Sequence, residues 1–359
     1  MRKKVMVAMS GGVDSSVAAY LALKGGYDAA GVTMSLGVNS SGIKKKNCCG
    51  PKEIDDARHV CRVLDIPHYV LDFSGFLQEK VIDNFIDEYA AGRTPNPCIQ
   101  CNRYLKFDAL LKNAHAMGFE YLATGHYAAT GTYQSQPVLK KPKDSKKDQT
   151  YFLYAIPRSA LSSILMPLGR YTKDQVRNIA RTAKLPVAEK PQSQDICFIP
   201  GRDYAAFLES RGYRCKPGNI VDLKGKVLGR HTGIVNYTIG QRGRLGVSSA
   251  QGLYVLDIDA AHNRLVVGER RDLRSAGLIA GKVNLHVKTL PRTVLVKIRY
   301  GHAAVPASAA LDGTKLKVIF ENAQESITPG QSAVLYDRDV LLGGGIIEAV
   351  LRQDKKEAV

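Results

Sequence analysis

Residues 5–26 read VMVAMSGGVDSSVAAYLALKGG. An apolar run breaks at Ser10-Gly11-Gly12, and an amphipathic stretch then continues until Gly25-Gly26 stops it. That order predicts a strand, a tight turn and a helix. Glycines in such a turn let the backbone approach an anion closely, and the free N–H groups of the helix start point at it. Ser15 and Ser16 add hydroxyls. Asp14 is the discordant member. A carboxylate beside a phosphate is repelled unless a divalent cation stands between them, so Asp14 predicts magnesium together with a pyrophosphate group. The loop is neither GxxxxGK[ST] nor GxGxxG. The plain alternative is a glycine turn with an acidic residue at a helix start.

Working outward, the same alternation repeats. DAAGVTMSL (28–36) reads as a second strand and PKEIDDARHVCRVLDI (51–66) as a second helix, with Pro51 at its start and Pro67 beyond its end. HYVLDF is a third strand, FLQEKVIDNFIDEYAAG a helix, KFDALLKNAHAMG another helix and FEYLATGHY a strand. This βαβα order predicts an α/β fold, a parallel doubly wound sheet whose ligands bind at the carboxyl ends of the strands. After about residue 200 short β-type runs take over: GNIVDLKGKVLG, GIVNYTIGQ, GLYVLDIDAAHNRLVVG, VNLHVKTL, RTVLVKIRY, KLKVIFE and SAVLYDRDVLLGGGII. They predict barrel-like β modules. The expected division is a catalytic domain over 1–200, a small central β-rich domain over 201–275 and a C-terminal β-barrel over 276–359.

The formal net charge is +18, and 27 of the 51 basic and 18 of the 33 acidic residues lie in 1–200, so the excess is spread over the chain. A polyanionic partner, nucleic acid above all, is the natural inference. No run of about 18 apolar residues occurs, and the apolar start breaks too early for a signal-peptide core, so no membrane partner and a cytoplasmic location are expected.

The seven cysteines, at 48, 49, 61, 98, 101, 197 and 215, are odd in number and unevenly spaced. That argues against a disulfide framework and for metal or reactive-thiol use of some of them. Cys61 and Cys215 read as small buried apolar residues. The adjacent Cys48 and Cys49 read as a loop without chemistry. GRTPNPCIQCN (92–102) sets Cys98 and Cys101 in a CxxC behind two prolines. A zinc clip lacks the second ligand pair that would complete four.

SGGxDS after a first strand resembles the loop of the N-type ATP pyrophosphatases, which adenylate a substrate oxygen and release pyrophosphate. Further segments, GRTPNPCIQCN, ATGHY (123–127), KDQTYFLY (147–154), SQDICFIPGRDYAAFL (193–208), YTIGQRGRLGV (237–247) and TPGQSAVLYDRDVLLGGGII (328–347), resemble the tRNA-specific 2-thiouridylases in order along nearly the whole chain. That resemblance implies the PP-loop, HUP-like adenine nucleotide hydrolase fold and ATP-dependent replacement of the C2 oxygen of the wobble uridine by sulfur. The implied tRNAs are those for Lys, Glu and Gln, and the implied protein partner is a sulfur donor of a cysteine desulfurase relay.

Carried over by motif, Ala8, Met9, Ser10, Gly11, Gly12, Val13, Asp14 and Ser15 would hold ATP with Mg2+, and Met34 and Gly125 would line the adenine and ribose. His126, next to that adenine and ribose side, is counted with the tRNA-binding residues, and Asn96, Pro97 and Cys98 would face the target base. Lys147, Asp148, Gln149, Arg299, Tyr300 and Gln331 would touch tRNA. A basic residue next to an aromatic suits phosphate contact plus stacking.

A pyrimidine carbonyl oxygen is a poor leaving group, and adenylation makes AMP the leaving group. A cysteine persulfide can then supply sulfur, and a second cysteine can take up the carrier sulfur as a disulfide. By resemblance Cys197 carries the persulfide and Cys101 resolves it. Some members have Asp where this chain has Cys98, which leaves a second route open. Cys98, Cys101 and Cys197 could hold three irons of a four-iron, four-sulfur cluster, the fourth binding hydrosulfide.

Three other functions stand beside this one. An adenylating ligase acting on a small metabolite would leave the CxxC, Cys197, the charge and the β-rich half unexplained. A 4-thiouridine-forming enzyme would be expected to carry an RNA-binding module ahead of the loop. A non-catalytic tRNA-binding protein would not need Asp14, Cys101 and Cys197.

Overall fold

The computed structural model describes residues 2–37, 50–191, 196–199, 203–247 and 252–352. Cys48 and Cys49 lie outside the described residues. The predicted βαβ start is present: β1 (Lys4–Ala8), α1 (Val13–Lys24), β2 (Asp28–Ser35), α2 (Pro51–Val63) and β3 (His68–Asp72). Two later strands, β4 (Tyr121–Ala123) and β7 (Ile164–Leu165), complete a five-stranded sheet of order β3-β2-β1-β4-β7. Every pairing in it is parallel.

The alternation of β1 sorts the two layers. Val5 and Val7 join Val17, Ala57 and Val176 on one face, under α1, α2 and the helix Lys173–Thr182. Met6 joins Val32, Phe85, Leu105 and Phe107 on the other. Burial of aliphatic side chains on both faces, at roughly 25 cal/mol per Å² of apolar surface removed from water, is what holds a parallel sheet between two helical layers. The expected helix over 76–92 is present as Ser74–Leu77, Gln78–Ile82 and Asp83–Ala90, with wider winding in the middle piece.

A second long helix differs from expectation at its start. It begins at Pro97 rather than Lys106, running as Pro97–Gln100, Cys101–Leu110 and Leu111–Ala116. Proline at the first helical position is favourable because its missing N–H is one that a helix start leaves unbonded. Both cysteines of the CxxC therefore sit on a helix. The segment from Cys101 to Leu110 takes the wider π-type winding, a rare form that is frequent at functional sites.

The β-rich half forms two sheets. The first has four strands in the order Tyr254–Asp259, Arg264–Gly268, Gly218–Val221, Val227–His231. The second is a barrel closed by pairing of its first and last strands, Arg274–Leu285 and Val340–Leu351. Lys315–Glu325, Val305–Asp312, Val294–Lys297 and Ser332–Asp337 lie between them.

Two expectations are corrected, and one strand pair was not expected. GIVNYTIGQ is no strand but a single helical turn, Ile234–Asn236: burial does alternate from Val235 to Ile239, yet the Asn236 and Tyr237 N–H groups bond back to the Gly233 and Ile234 carbonyls at 3.1 Å instead of across to a strand. VNLHVKTL is strand only to Leu285, beyond which His286 turns inward. Lastly, the hairpin β5–β6 (Ala129–Tyr133 and Gln136–Lys140), inside the first 200 residues, extends the barrel sheet through Lys140 and Val340. A hairpin from the first 200 residues thus belongs to the barrel's sheet, while the five-stranded parallel sheet stays separate.

Candidate active site

In this sheet order the chain leaves β1 toward β2 on one side and reaches β4 on the other. The crevice beyond the carboxyl ends of β1 and β4 is a switch point, where ligands of open α/β sheets bind. Met9 to Gly12 follow β1, and Thr124 to Tyr127 follow β4.

The two loops close on each other. A Cβ on Gly125 would stand 2.6 Å from the Ser15 nitrogen and 2.7 Å from the Asp14 carbonyl carbon. Gly11 has φ +63°, and a Cβ there would lie 2.4 Å from the Glu53 carbonyl oxygen at the start of α2. Both positions require glycine for backbone approach, as a phosphate cradle does. The Ser15 hydroxyl donates to the Gly12 carbonyl (3.1 Å) and accepts from the Ser10 N–H (3.2 Å), while the Ser16 hydroxyl donates to the same carbonyl at 2.8 Å. Ala8 and Met34 close the ends of β1 and β2 beside this loop.

Asp14 occupies the first turn of α1. The Lys173 ammonium donates to both its carboxylate oxygens, at 2.6 and 2.8 Å, and the Tyr127 hydroxyl donates to one at 3.0 Å. Burial, with the Asp14 carboxylate adding to it, pushes the Tyr127 phenol up. The Lys190 ammonium donates to the Gly11 carbonyl at 2.9 Å and to Asp56 at 2.5 Å, tying the loop to α2. The donor set fits ATP with magnesium: a glycine cradle, a helix start, and a carboxylate at the mouth that already holds a cation. Lys173 and Lys190 escape a reading of the sequence, because they lie 159 and 179 positions from their partners and no local pattern marks them.

The cysteine helix comes down to the same sheet edge. It runs antiparallel to β4, to which the short turn after Ala116 joins it, so its cysteine end points toward the carboxyl edge. His126, just past β4, packs its ring 6.0 Å from that of Phe107 and bonds Thr124 through Nδ1 at 2.8 Å. Burial, reinforced by Lys106, holds His126 well below the usual imidazole range, so it is neutral. Lys106 in turn donates to Asn102, whose amide donates to the Phe152 carbonyl at 3.0 Å. Cys98 is exposed, whereas Cys101 and Cys197 are half-buried against the same apolar core. Among the described residues no three His, Cys, Asp or Glu side chains converge as metal ligands. Cys61 is fully buried and its thiol is pushed up to about 11, as a packing cysteine should be. Cys215 is only half-buried, short of the expectation, with its thiol pushed up to about 11 by burial and by Glu209.

The residues expected at the base and the tRNA stand at joints between modules. Asn96 precedes the cysteine helix and Pro97 opens it. Next to them, the Gln331 amide donates to the Thr94 carbonyl at 2.8 Å, bringing the barrel against the CxxC loop. Lys147 ends a short helical turn. Asp148 accepts from Thr150, and Gln149 accepts from the Tyr127 N–H at 2.7 Å. The Arg299 guanidinium turns inward, bonding the Ile239 carbonyl at 2.8 Å and the Thr328 hydroxyl. Its Nε finds no partner among the described residues, and burial lowers its pKa. Tyr300 is 42% exposed, with its ring 4.5 Å from Phe152 and Lys297 over its face at 5.3 Å. Burial, and Lys141 with it, lowers Lys297, against the pull of Asp148. No described helix is long and apolar enough to cross a membrane.

Three family models match the chain in sequence: the tRNA methyl transferase HUP domain over residues 3–201, the tRNA methyl transferase PRC-barrel domain over 205–269 and the aminomethyltransferase beta-barrel domain over 275–347. The tRNA-specific 2-thiouridylase MnmA 1 of Syntrophus aciditrophicus is 52% identical over 98% of this chain and 94% of its own length. The tRNA-specific 2-thiouridylase MnmA of Carboxydothermus hydrogenoformans is 49% identical over 97% and 98%. A solved 4-thiouridine synthetase–RNA complex with bound ATP overlaps 58% of this chain and 49% of that chain at 21% identity, with a TM-score of 0.37, too partial a likeness to carry an argument. With a glycine cradle at the sheet switch point, a CxxC helix descending to it and matches along nearly its whole length, the chain belongs to the tRNA-specific 2-thiouridylase family.

Proposed function

We propose that this protein is a tRNA-uridine 2-sulfurtransferase, replacing the C2 oxygen of the wobble uridine by sulfur with ATP as activator. The observation that carries it is the convergence of two machineries on one sheet edge. The phosphate cradle follows β1, and the cysteine helix packs on His126, which follows β4. A small-metabolite ligase needs only the first. Methyl transfer, which the family model's description mentions, needs no cradle for a leaving pyrophosphate.

In the reaction the uridine O2 attacks the α-phosphorus of ATP, and the bond to pyrophosphate breaks. Asp14 is the residue that would hold magnesium, which offsets the charge of the leaving pyrophosphate. The chain's own cradle, Gly11, Gly12 and the Ser15 N–H, orients the phosphates. His126, neutral and half-enclosed, can donate or accept one hydrogen bond at the base without adding charge. The outer sulfur of a Cys197 persulfide then attacks C2, and AMP leaves with the original oxygen. Cys101 attacks the Cys197 sulfur, forming a disulfide and leaving the thiocarbonyl on the base. A sulfur-donor protein renews the persulfide after a thiol reductant opens the disulfide.

The cluster route would place Cys98, Cys101 and Cys197 around one metal group. Those three are not gathered as ligands here, so no step is derived through it. Comparing Cys98→Ser with wild type, both purified without oxygen, on unmodified tRNA of the Lys, Glu and Gln type separates the routes. Retained retardation on a mercury gel supports the persulfide pair. Loss together with loss of brown absorbance supports the cluster. A wild-type protein that gives no retardation with any of these tRNAs contradicts the proposed reaction.

A further inference from the structure

The residue that the phosphate site holds ready and that no motif announces is Lys173. It is the first residue of its helix, and Thr172 closes a capping box with Gln175 before it. Its own N–H donates to Asp144 at 2.9 Å, so its backbone is fixed from two sides. Its side chain is 13% exposed and passes the face of Tyr127 to reach both oxygens of Asp14. A lysine so enclosed gives up side-chain freedom, and a single carboxylate that also serves as a metal ligand is an unstable partner for it.

We propose that Lys173 is an exchangeable cation of the nucleotide site: it neutralises Asp14 while no magnesium is present, and passes to the β- and γ-phosphates when magnesium takes Asp14. The inference rests on the ATP reading above and adds to it a named residue. A divalent ion bridging Asp14 to phosphate must displace an ammonium that now contacts both carboxylate oxygens. The freed ammonium, on a flexible four-carbon stem, stays within a side chain's length of the same phosphates. In pyrophosphate departure it then offsets the charge that leaves the α-phosphorus, which is where such a charge accelerates the step. Tyr127 stays on Asp14 throughout and keeps the carboxylate aimed.

The exchange predicts effects of opposite sign, which a purely structural lysine would not give. Mn2+ serves as the probe, with free Mn2+ read by electron paramagnetic resonance on the full chain. Without nucleotide, Lys173→Met should bind Mn2+ about tenfold more tightly than wild type, because a competing cation is gone. With ATP present, the same variant should bind Mn2+·ATP at least roughly tenfold more weakly, because a phosphate partner is gone. Lys173→Arg, which keeps the charge but changes the shape, should stay closer to wild type than Lys173→Met in both assays. Unchanged or weaker Mn2+ binding without ATP in a folded Lys173→Met protein overturns the exchange. So does a Lys173→Arg protein that binds Mn2+·ATP more weakly than Lys173→Met does. Wild-type protein that binds no Mn2+·ATP overturns instead the ATP reading on which the inference rests.

Discussion

The phosphate loop and the cysteine helix reach the same sheet edge, yet they are held in opposite ways. The loop is over-determined: Ser15 and Ser16 from its own helix, and Lys190, Gly125 and Glu53 from distant parts of the chain, all hold the few residues around Gly12. The cysteine helix brings its thiols to a half-open rim, with Cys98 exposed and Cys101 in wider-wound backbone. Cys197, its partner in the proposed transfer, lies 96 positions beyond Cys101 in the chain. The difference follows from the chemistry. Phosphate orientation gains from rigidity, whereas a sulfur that must meet a donor protein, a base and a second cysteine in turn needs access.

The largest effects should fall on the rigid side. Asp14→Ala should lower tRNA-dependent pyrophosphate release by roughly a hundredfold or more, as removal of a group aimed at developing charge does. Next, Gly125→Ala, whose Cβ has no room beside the Ser15 nitrogen, should weaken ATP binding at least about tenfold in calorimetry, a loss of ~1.4 kcal/mol. A Gly125→Ala protein with wild-type affinity would mean that the two loops are not the cradle.

At the module joints the comparison sharpens differently. Tyr300→Ala should cost tRNA binding about 1–3 kcal/mol in a filter assay with little change in thermal midpoint, because its ring is exposed for stacking. Arg299→Ala should instead lower the thermal midpoint, since its buried guanidinium ties Ile239 to Thr328. Equal behaviour of the two variants would erase the distinction between contact and joint.

A last effect concerns pH and stability, away from the sheet edge. His286 is buried with its Nε2 on the Ile156 carbonyl, and burial lowers its pKa to about 4 from 6.5. The unfolded chain therefore binds this proton first. The stability conferred by the neutral form is full above about pH 6.5 and is lost as pH falls toward 4, on the order of 2 kcal/mol by pH 5. Urea midpoints for His286→Gln should lose that part of the slope between pH 7 and 5.

The sheet, its first loop and the barrel strands were legible because each is written in local periodicity and glycine punctuation. The helical setting of Cys98 was missed because Pro95 and Pro97 read as loop, although proline at a first helical position is itself a start signal. Hairpin 129–140 was missed because its strands are short and its sheet partner lies 200 positions on. Tyr127 stood inside a quoted motif, but its hydrogen bond to Asp14 depends on how β4 sits beside β1. Lys173 had no signal at all, since a capping-box helix start looks the same whether or not its lysine reaches an active site.

The central claim is that one edge of the sheet couples ATP cleavage to sulfur transfer through separate residues. Pyrophosphate release and mercury-gel retardation, followed in the same reactions on unmodified tRNA, test it most directly for Asp14→Ala and Cys101→Ser. The account predicts that Asp14→Ala loses both signals, while Cys101→Ser still releases pyrophosphate with tRNA but yields no retarded product. Retarded tRNA from Cys101→Ser, or undiminished pyrophosphate release from Asp14→Ala, would contradict it.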